Sequence, residues 1–378
     1  MIVNRSNIAA LCTLIALSCS AQTKVSTAAS SKLSIPESLR NEANMAIDRA
    51  EKWLLKNQQD DGHWSSPEFP ALTAFPVWAL TLDGKFKKEP VEKAVAFILA
   101  NQRPNGSIWA SPSEERKGGG LPNYNTAISM TGLHMVGDEK LRPAILKARK
   151  FMVSSQHGGD DIFKGGFGYD NATGRPYTDL SNTYIAAEAM RLTESAEDFR
   201  PDGSKVSKLD RKALADYVTR LQMKDGGIIY KPNESKASST EENKDGAFRS
   251  YGSMTYAGLL TMIYSDVDKG DPRVKSAFDW SRKHWSLDTN PGMGNEGLFY
   301  FYNVLSKALA AMDIDTFEVG EAKKEINWRT ELTHKLISLQ KIEADGTGFW
   351  TNPESRWMEA DPTLVTSYAL IALKNALN

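Results

Sequence analysis

Along this chain, apolar residues fall repeatedly on one face of a helix. Ala43, Ile47, Ala50, Trp53 and Leu54 recur at intervals of three and four, which predicts an amphipathic helix with one buried stripe. Gln58 stands at its end, Asp60-Asp61-Gly62 breaks it, and Trp64 supplies a large flat face to pack the turn. A second helix follows at Leu72-Thr73-Ala74-Phe75-Pro76-Val77-Trp78, with almost no polar side. The same order then returns. Lys93-Ala94, Phe97-Ile98, Gln102, Gly106 and Trp109 make a second copy; Lys147-Ala148, Phe151-Met152, Gln156 and Gly166-Phe167-Gly168-Tyr169 make a third. Lys212-Ala213, Tyr217-Val218, Gln222, Gly226-Gly227 and Tyr230 form a fourth, and Lys275, Ala277, Trp280 and Trp285 a degraded fifth. Leu336-Ile337, Gln340, Gly346 and Gly348-Phe349-Trp350 end a sixth. Irregular spacing between the glutamines implies loops of variable length on a constant unit.

Each turn leads into another weakly charged segment: Asn125-Thr126-Ala127-Ile128, Asn182-Thr183-Tyr184-Ile185, Met254-Thr255-Tyr256-Ala257, residues 298–309, and Val365-Thr366-Ser367-Tyr368-Ala369. Helices of that composition are buried on most sides. Six alternations of amphipathic and apolar helices therefore predict an all-α fold in two concentric layers, the apolar set inside.

The order basic-Ala, aromatic-aliphatic, Gln, Gly-x-aromatic resembles the QW repeat of squalene–hopene and oxidosqualene cyclases, within the prenyltransferase and squalene-oxidase repeat superfamily. The resemblance covers about residues 40–378. It implies an (α/α)6 toroid and structural clamps at Gln58, Trp64, Gln102, Trp109, Gln340 and Trp350. It also implies a hydrophobic, isoprenoid-type ligand, although one fold hosts unrelated activities.

Composition adds a compartment and removes several chemistries. Arg5 precedes an apolar stretch over residues 8–17 and the small residues Ser18-Cys19-Ser20-Ala21, so residues 1–21 read as a signal peptide. Two processing routes fit: cleavage after Ala21, or a lipobox at Ala16-Leu17-Ser18-Cys19 that makes Cys19 a lipid anchor. Residues 22–39 then form a flexible tether before the toroid at 40–378, and the protein is expected in the periplasm or held at a membrane as a lipoprotein. Cys12 and Cys19 both lie in the leader, which leaves no cysteine for a disulfide, a thiolate nucleophile or cysteine-ligated zinc. His63, His134, His157, His284 and His334 show no paired metal-ligand spacing, so no metal or other cofactor is expected. A formal net charge of −1 gives no field to hold nucleic acid.

Class II cyclases of the resembled family protonate an alkene with an Asp-x-Asp-Asp-Thr motif. The best match is Asp179-Leu180-Ser181-Asn182-Thr183, where Ser181 stands at the proton donor's place. A serine hydroxyl is far too weak an acid for that step. Asp361, five residues before Thr366, and Asp245, ten before Thr255, are acids from other repeats, and Asp179 also suits a helix N-cap. Asp179, Glu296 and Asp361 are the candidate catalytic residues. Tyr124, Tyr177, Asn182, Tyr251, Tyr300, Tyr302 and Trp357 are the candidate ligand contacts, since inner-helix starts converge on one mouth in a toroid. Aromatic faces suit isoprenoid chains and sugars alike. Three readings follow: an exported cyclase-like protein that binds a small hydrophobic ligand, a secreted enzyme acting on a polysaccharide in the manner of lyases and glycosidases, or a non-catalytic interaction scaffold.

Overall fold

The computed structural model describes residues 35–111, 120–171, 177–201, 203–237 and 248–378. The expected signal peptide with Cys12 and Cys19, the tether up to residue 34, and Asp245 lie outside the described residues. Twelve α-helices alternate between two layers among the described residues. In chain order they are α1 (Glu37–Lys56), α2 (Pro70–Thr81), α3 (Lys88–Ala100), α4 (Pro122–Met135), α5 (Arg142–Ser155), α6 (Leu180–Leu192), α7 (Arg211–Leu221), α8 (Gly252–Tyr264), α9 (Pro272–Lys283), α10 (Leu298–Met312), α11 (Trp328–Leu339) and α12 (Pro362–Leu377). The even-numbered helices form the inner ring, each packed on the next, and α12 returns to pack on α2.

Composition decides the layer. All of α2 is buried, including Thr73 and Thr81, whose hydroxyl bonds back to the Val77 carbonyl. Helix α1 buries only the stripe Leu39, Ala43, Ala46, Ala50, Trp53 and Leu54. Ala46 belongs to that buried stripe, and Ile47 is only half-buried beside it. Two short antiparallel pairs, β1 (Thr316–Val319) with β2 (Lys324–Asn327) and β3 (Lys341–Ile342) with β4 (Gly348–Phe349), decorate the helical frame.

The repeated glutamines tie neighbouring outer helices together. Gln58 Nε2 donates to the Gly62 carbonyl at 2.9 Å and to the Pro90 carbonyl of α3 at 2.8 Å. Gln102 links Gly106 to Ala144 of α5, Gln156 links Gly165 to Asp210 ahead of α7, and Gln222 links Gly226 to Arg273 of α9. Gln340 closes the ring on the Ala46 carbonyl of α1 at 2.8 Å. Glycine is required beside these amides. Gly62 has φ +93°, and a Cβ there would lie 2.5 Å from the Lys93 carbonyl.

Beside each clamp, one side chain fills the gap between layers: Trp64, Ile108, Phe167, Ile228 and Trp350 are all fully buried. The backbone N–H of each donates to a threonine hydroxyl on the inner helix, namely Thr73, Thr126, Thr183, Thr255 and Thr366. In the second repeat the filler is Ile108, one residue ahead of Trp109. Trp109 is half-buried, with its Nε1–H on Ser107 Oγ and the Arg103 guanidinium over its ring. The degraded fifth repeat uses Asn290 instead, whose amide pairs with the backbone and hydroxyl of Ser253.

Candidate functional site

The threonine anchors also set which residues face the centre of the ring. Two positions before them stand Ala71, Tyr124, Ser181, Ser253 and Leu364, and all five line a central cavity of about 210 Å³. Helix α10 lacks such a threonine and contributes Tyr300. The rest of the wall comes from the approaches to the inner helices: Tyr169, Tyr230 and Tyr251 on one side, Phe69 and Leu121 on another. Tyr368 reaches in from the second turn of α12, and the segment Trp357-Met358-Glu359 completes the wall. Trp357 (φ +57°) and Met358 (φ +66°) both hold left-handed backbone conformations and are 45% and 41% exposed. Non-glycine residues in that region cost energy, and such strain gathers at binding sites. Gly297 leaves room for the Trp357 ring, 3.2 Å from where a Cβ would stand.

Among the described residues, the lining contains no Lys, Arg or His, and Glu359 is its one carboxylate. Glu359 is 1% exposed and accepts from the backbone N–H groups of Phe299 and Tyr300 at the start of α10 and from Asn352 Nδ2. Burial raises its pKa, while these donors pull the other way.

Asp179 is fully buried behind the wall and caps α6. It accepts from the Asn182 backbone at 2.9 Å and from Asn182 Nδ2 at 2.8 Å, and the Tyr230 hydroxyl donates to it. Burial pushes its pKa up to about 6 against the pull of those bonds. Burial raises the pKa of the phenols of Tyr169, Tyr230, Tyr251 and Tyr300, and the charge of Asp179 adds to that rise.

Of the candidate ligand contacts, Tyr124, Tyr251, Tyr300 and Trp357 line the cavity. Tyr177 stands behind, hydrogen-bonded to Tyr230 and under the Lys231 ammonium. Asn182 is engaged with Asp179, and the Tyr302 hydroxyl turns away to the Leu287 carbonyl. The three candidate acids do not meet at the cavity wall. Glu296 pairs with Arg356 at 2.6 Å, and Asp361 caps α12 through the Thr363 and Leu364 N–H groups while holding the Ser65 hydroxyl. Tyr169, Tyr230 and Tyr368 were not among the expected contacts. Tyr169 and Tyr230 each stand two residues beyond a buried filler, Phe167 and Ile228, and that shared register is the signal that marks them.

Two turns further along the inner helices the centre is sealed. Lys307 and Glu188 pair at 3.0 Å, Tyr184 donates to Glu188 at 2.9 Å, and the ammonium lies 3.9 Å from the Trp78 ring centre. Burial lowers the Lys307 pKa, and Glu188 offsets part of that. Tyr300 and Tyr368 form the partition between this polar plug and the cavity.

No family model matches the chain. Drimenyl diphosphate synthase of Streptomyces showdoensis is 28% identical over 197 residues, which span half of this chain and about a third of that relative's length. Protein geranylgeranyltransferase-I of Candida albicans, solved with GGPP, matches with a TM-score of 0.54 at 15% identity, covering 87% of this chain and 90% of that one. A type II terpene cyclase from Scytonema, solved with its product merosterolic acid A, gives 0.51 at 14% identity over 90% and 97%. The chain has the α/α-toroid fold of prenyltransferases and type II terpene cyclases. In this toroid the third place of the aspartate motif, two before the anchoring threonine, faces the cavity, and Ser181 occupies it. The carboxylate in the first place, Asp179, serves the N-terminus of α6.

Proposed function

We propose that this protein binds an isoprenoid chain in its central cavity. The observation that carries the reading is the wall itself, six tyrosines with Phe69, Leu72, Met254 and Trp357 around about 210 Å³. Apolar and aromatic surface of that kind holds an unsaturated hydrocarbon by burial and by contact with ring faces. For scale, a cavity of about 150 Å³ takes up benzene, so this one holds roughly a ten-carbon segment and a longer chain continues past Trp357. The fold shared with isoprenoid-handling enzymes supports the same ligand class. Protonation of an alkene from the motif's third position does not belong to the proposal, because Ser181 is there. Residues 1–21 support an exported protein, released by cleavage after Ala21 or anchored through a lipid on Cys19, so that binding takes place in the periplasm or at a membrane.

The test is purification of the protein from its own host, followed by mass spectrometry of an organic extract and calorimetric titration with farnesol. A co-purifying polyprenyl species, or saturable binding of farnesol at one site per chain, is the expected result. An extract without such species together with no farnesol binding would remove the isoprenoid reading and return weight to a polysaccharide or a protein partner.

A further inference from the structure

The cavity has two unlike halves. Helices α6, α8 and α10, consecutive around the inner ring, bring four hydroxyls to its wall: Ser181, Tyr251, Ser253 and Tyr300. The Ser181 and Tyr300 oxygens are 3.4 Å apart, a long and weak contact, and Ser253 Oγ accepts from Asn290 at 3.2 Å. The Tyr251 hydroxyl makes no side-chain hydrogen bond among the described residues and opens onto the cavity rather than into the core. The other half is poorer in hydrogen-bonding groups. Ala71, Leu72, Leu121 and Leu364 are apolar there, and the Tyr368 hydroxyl is spent donating to that of Tyr124.

A pure hydrocarbon would leave the Tyr251 hydroxyl unpaired in a dry site, which costs more than the bond itself would gain. A diphosphate would meet a different obstacle. It would bring two or more negative charges beside Glu359 and close to Asp179, while the described cations nearest the wall, Arg356 over the Trp357 ring and Lys236 over the Tyr230 ring, are already paired with Glu296 and Glu234. From this juxtaposition of an unpaired phenol, weakly engaged hydroxyls and a buried carboxylate, we infer that the ligand is an uncharged oxygenated isoprenoid, an alcohol or carbonyl compound, bound with its oxygen against Tyr251 and Tyr300. The inference rests on the isoprenoid reading and specifies its head group. It sets this cavity apart from one that takes a diphosphate ester.

The experiment is a calorimetric comparison of farnesol, farnesyl diphosphate and farnesene on the full chain, with Tyr251→Phe and Tyr300→Phe. Farnesol should bind at least about tenfold more tightly than the diphosphate. Tyr251→Phe should weaken farnesol about three- to tenfold, the worth of one neutral hydrogen bond. The same change should leave farnesene within about twofold, because the ring that packs the chain is kept. Tyr300→Phe repeats the comparison from the neighbouring helix, should Tyr251→Phe lower the thermal transition. Diphosphate binding as tight as farnesol, or tighter, would overturn the inference while leaving the isoprenoid reading intact. Equal loss of farnesol and farnesene in both variants, or no loss in either, would overturn the assignment of the oxygen to this wall. Binding of none of the three compounds would instead defeat the isoprenoid reading itself.

Discussion

Asp179 should make the protein lose stability as the pH rises through weakly acidic values. Its carboxyl is fully buried, and its folded pKa of about 6 stands above the ordinary value of 3.8. Between those values the folded protein keeps a proton that the unfolded chain has released, so unfolding becomes easier with each step in pH. The stabilising contribution is complete below about pH 4 and is lost as the pH passes 6. A shift of about two units at about 1.4 kcal/mol each gives a fall of about 3 kcal/mol. Asp179→Asn cannot titrate. Its amide keeps one acceptor for the Asn182 N–H but turns a donor toward Asn182 Nδ2, where the carboxylate had accepted at 2.8 Å, at a pH-independent cost of about 1–3 kcal/mol. Urea unfolding of both proteins from pH 4 to pH 7.5 isolates the effect as wild type minus variant. That difference should drop by about 3 kcal/mol across the range and then level off. A flat difference, or one that rises with pH, would mean that the hydrogen bonds to Asp179 outweigh its burial, and the reasoning would fail.

Gly62→Ala should cost about 2–4 kcal/mol, from the left-handed backbone and the forced retreat of α3, with its Lys93 carbonyl, from the new Cβ, read as a lower denaturation midpoint at unchanged slope. Lys307→Met should cost about 3–5 kcal/mol by leaving the Glu188 carboxylate buried without its cation. Lys307→Met combined with Glu188→Gln should recover most of that loss in the same measurement, and a double variant as unstable as the single one would show that the pair is not what holds the plug.

Much of the fold is legible in the chain because it repeats. A glutamine at a helix end, followed by a glycine that must approach the next outer helix, is a local pattern with a geometric cause. Copies of that pattern leave the ring as the arrangement in which Gln340 finds Ala46. The second repeat shows the limit of motif reading. A tryptophan in the right neighbourhood, Trp109, looks like the filler, yet the pleat of the turn brings Ile108 inward and leaves Trp109 half in solvent. A shift of one residue moves a side chain to the other face, and only the bond from the Ile108 N–H to Thr126 shows which residue is in register. The β1–β2 hairpin carries too few residues to stand out against the helical pattern around it.

The site is less legible because aromatic content says nothing about direction. Tyr300 and Tyr302 are two residues apart on one helix, so they point to different sides; one lines the cavity and the other donates to a loop carbonyl. Acids mislead in a similar way, since a carboxylate near an inner-helix start has two uses. Asp179 and Asp361 both satisfy the N–H groups of the helices they precede, and Glu296 balances Arg356. The threonine anchors resolve the ambiguity, because a hydrogen bond to the preceding turn fixes the rotation of each inner helix. With that rotation set, the position two residues earlier must face the centre in every repeat that has the anchor. Alanine, tyrosine, serine, serine and leucine occupy it here. Those five positions, Ala71, Tyr124, Ser181, Ser253 and Leu364, contain no acid, so the polar groups at the wall that matter to a ligand come also from outside them, from Tyr251, Tyr300 and Glu359.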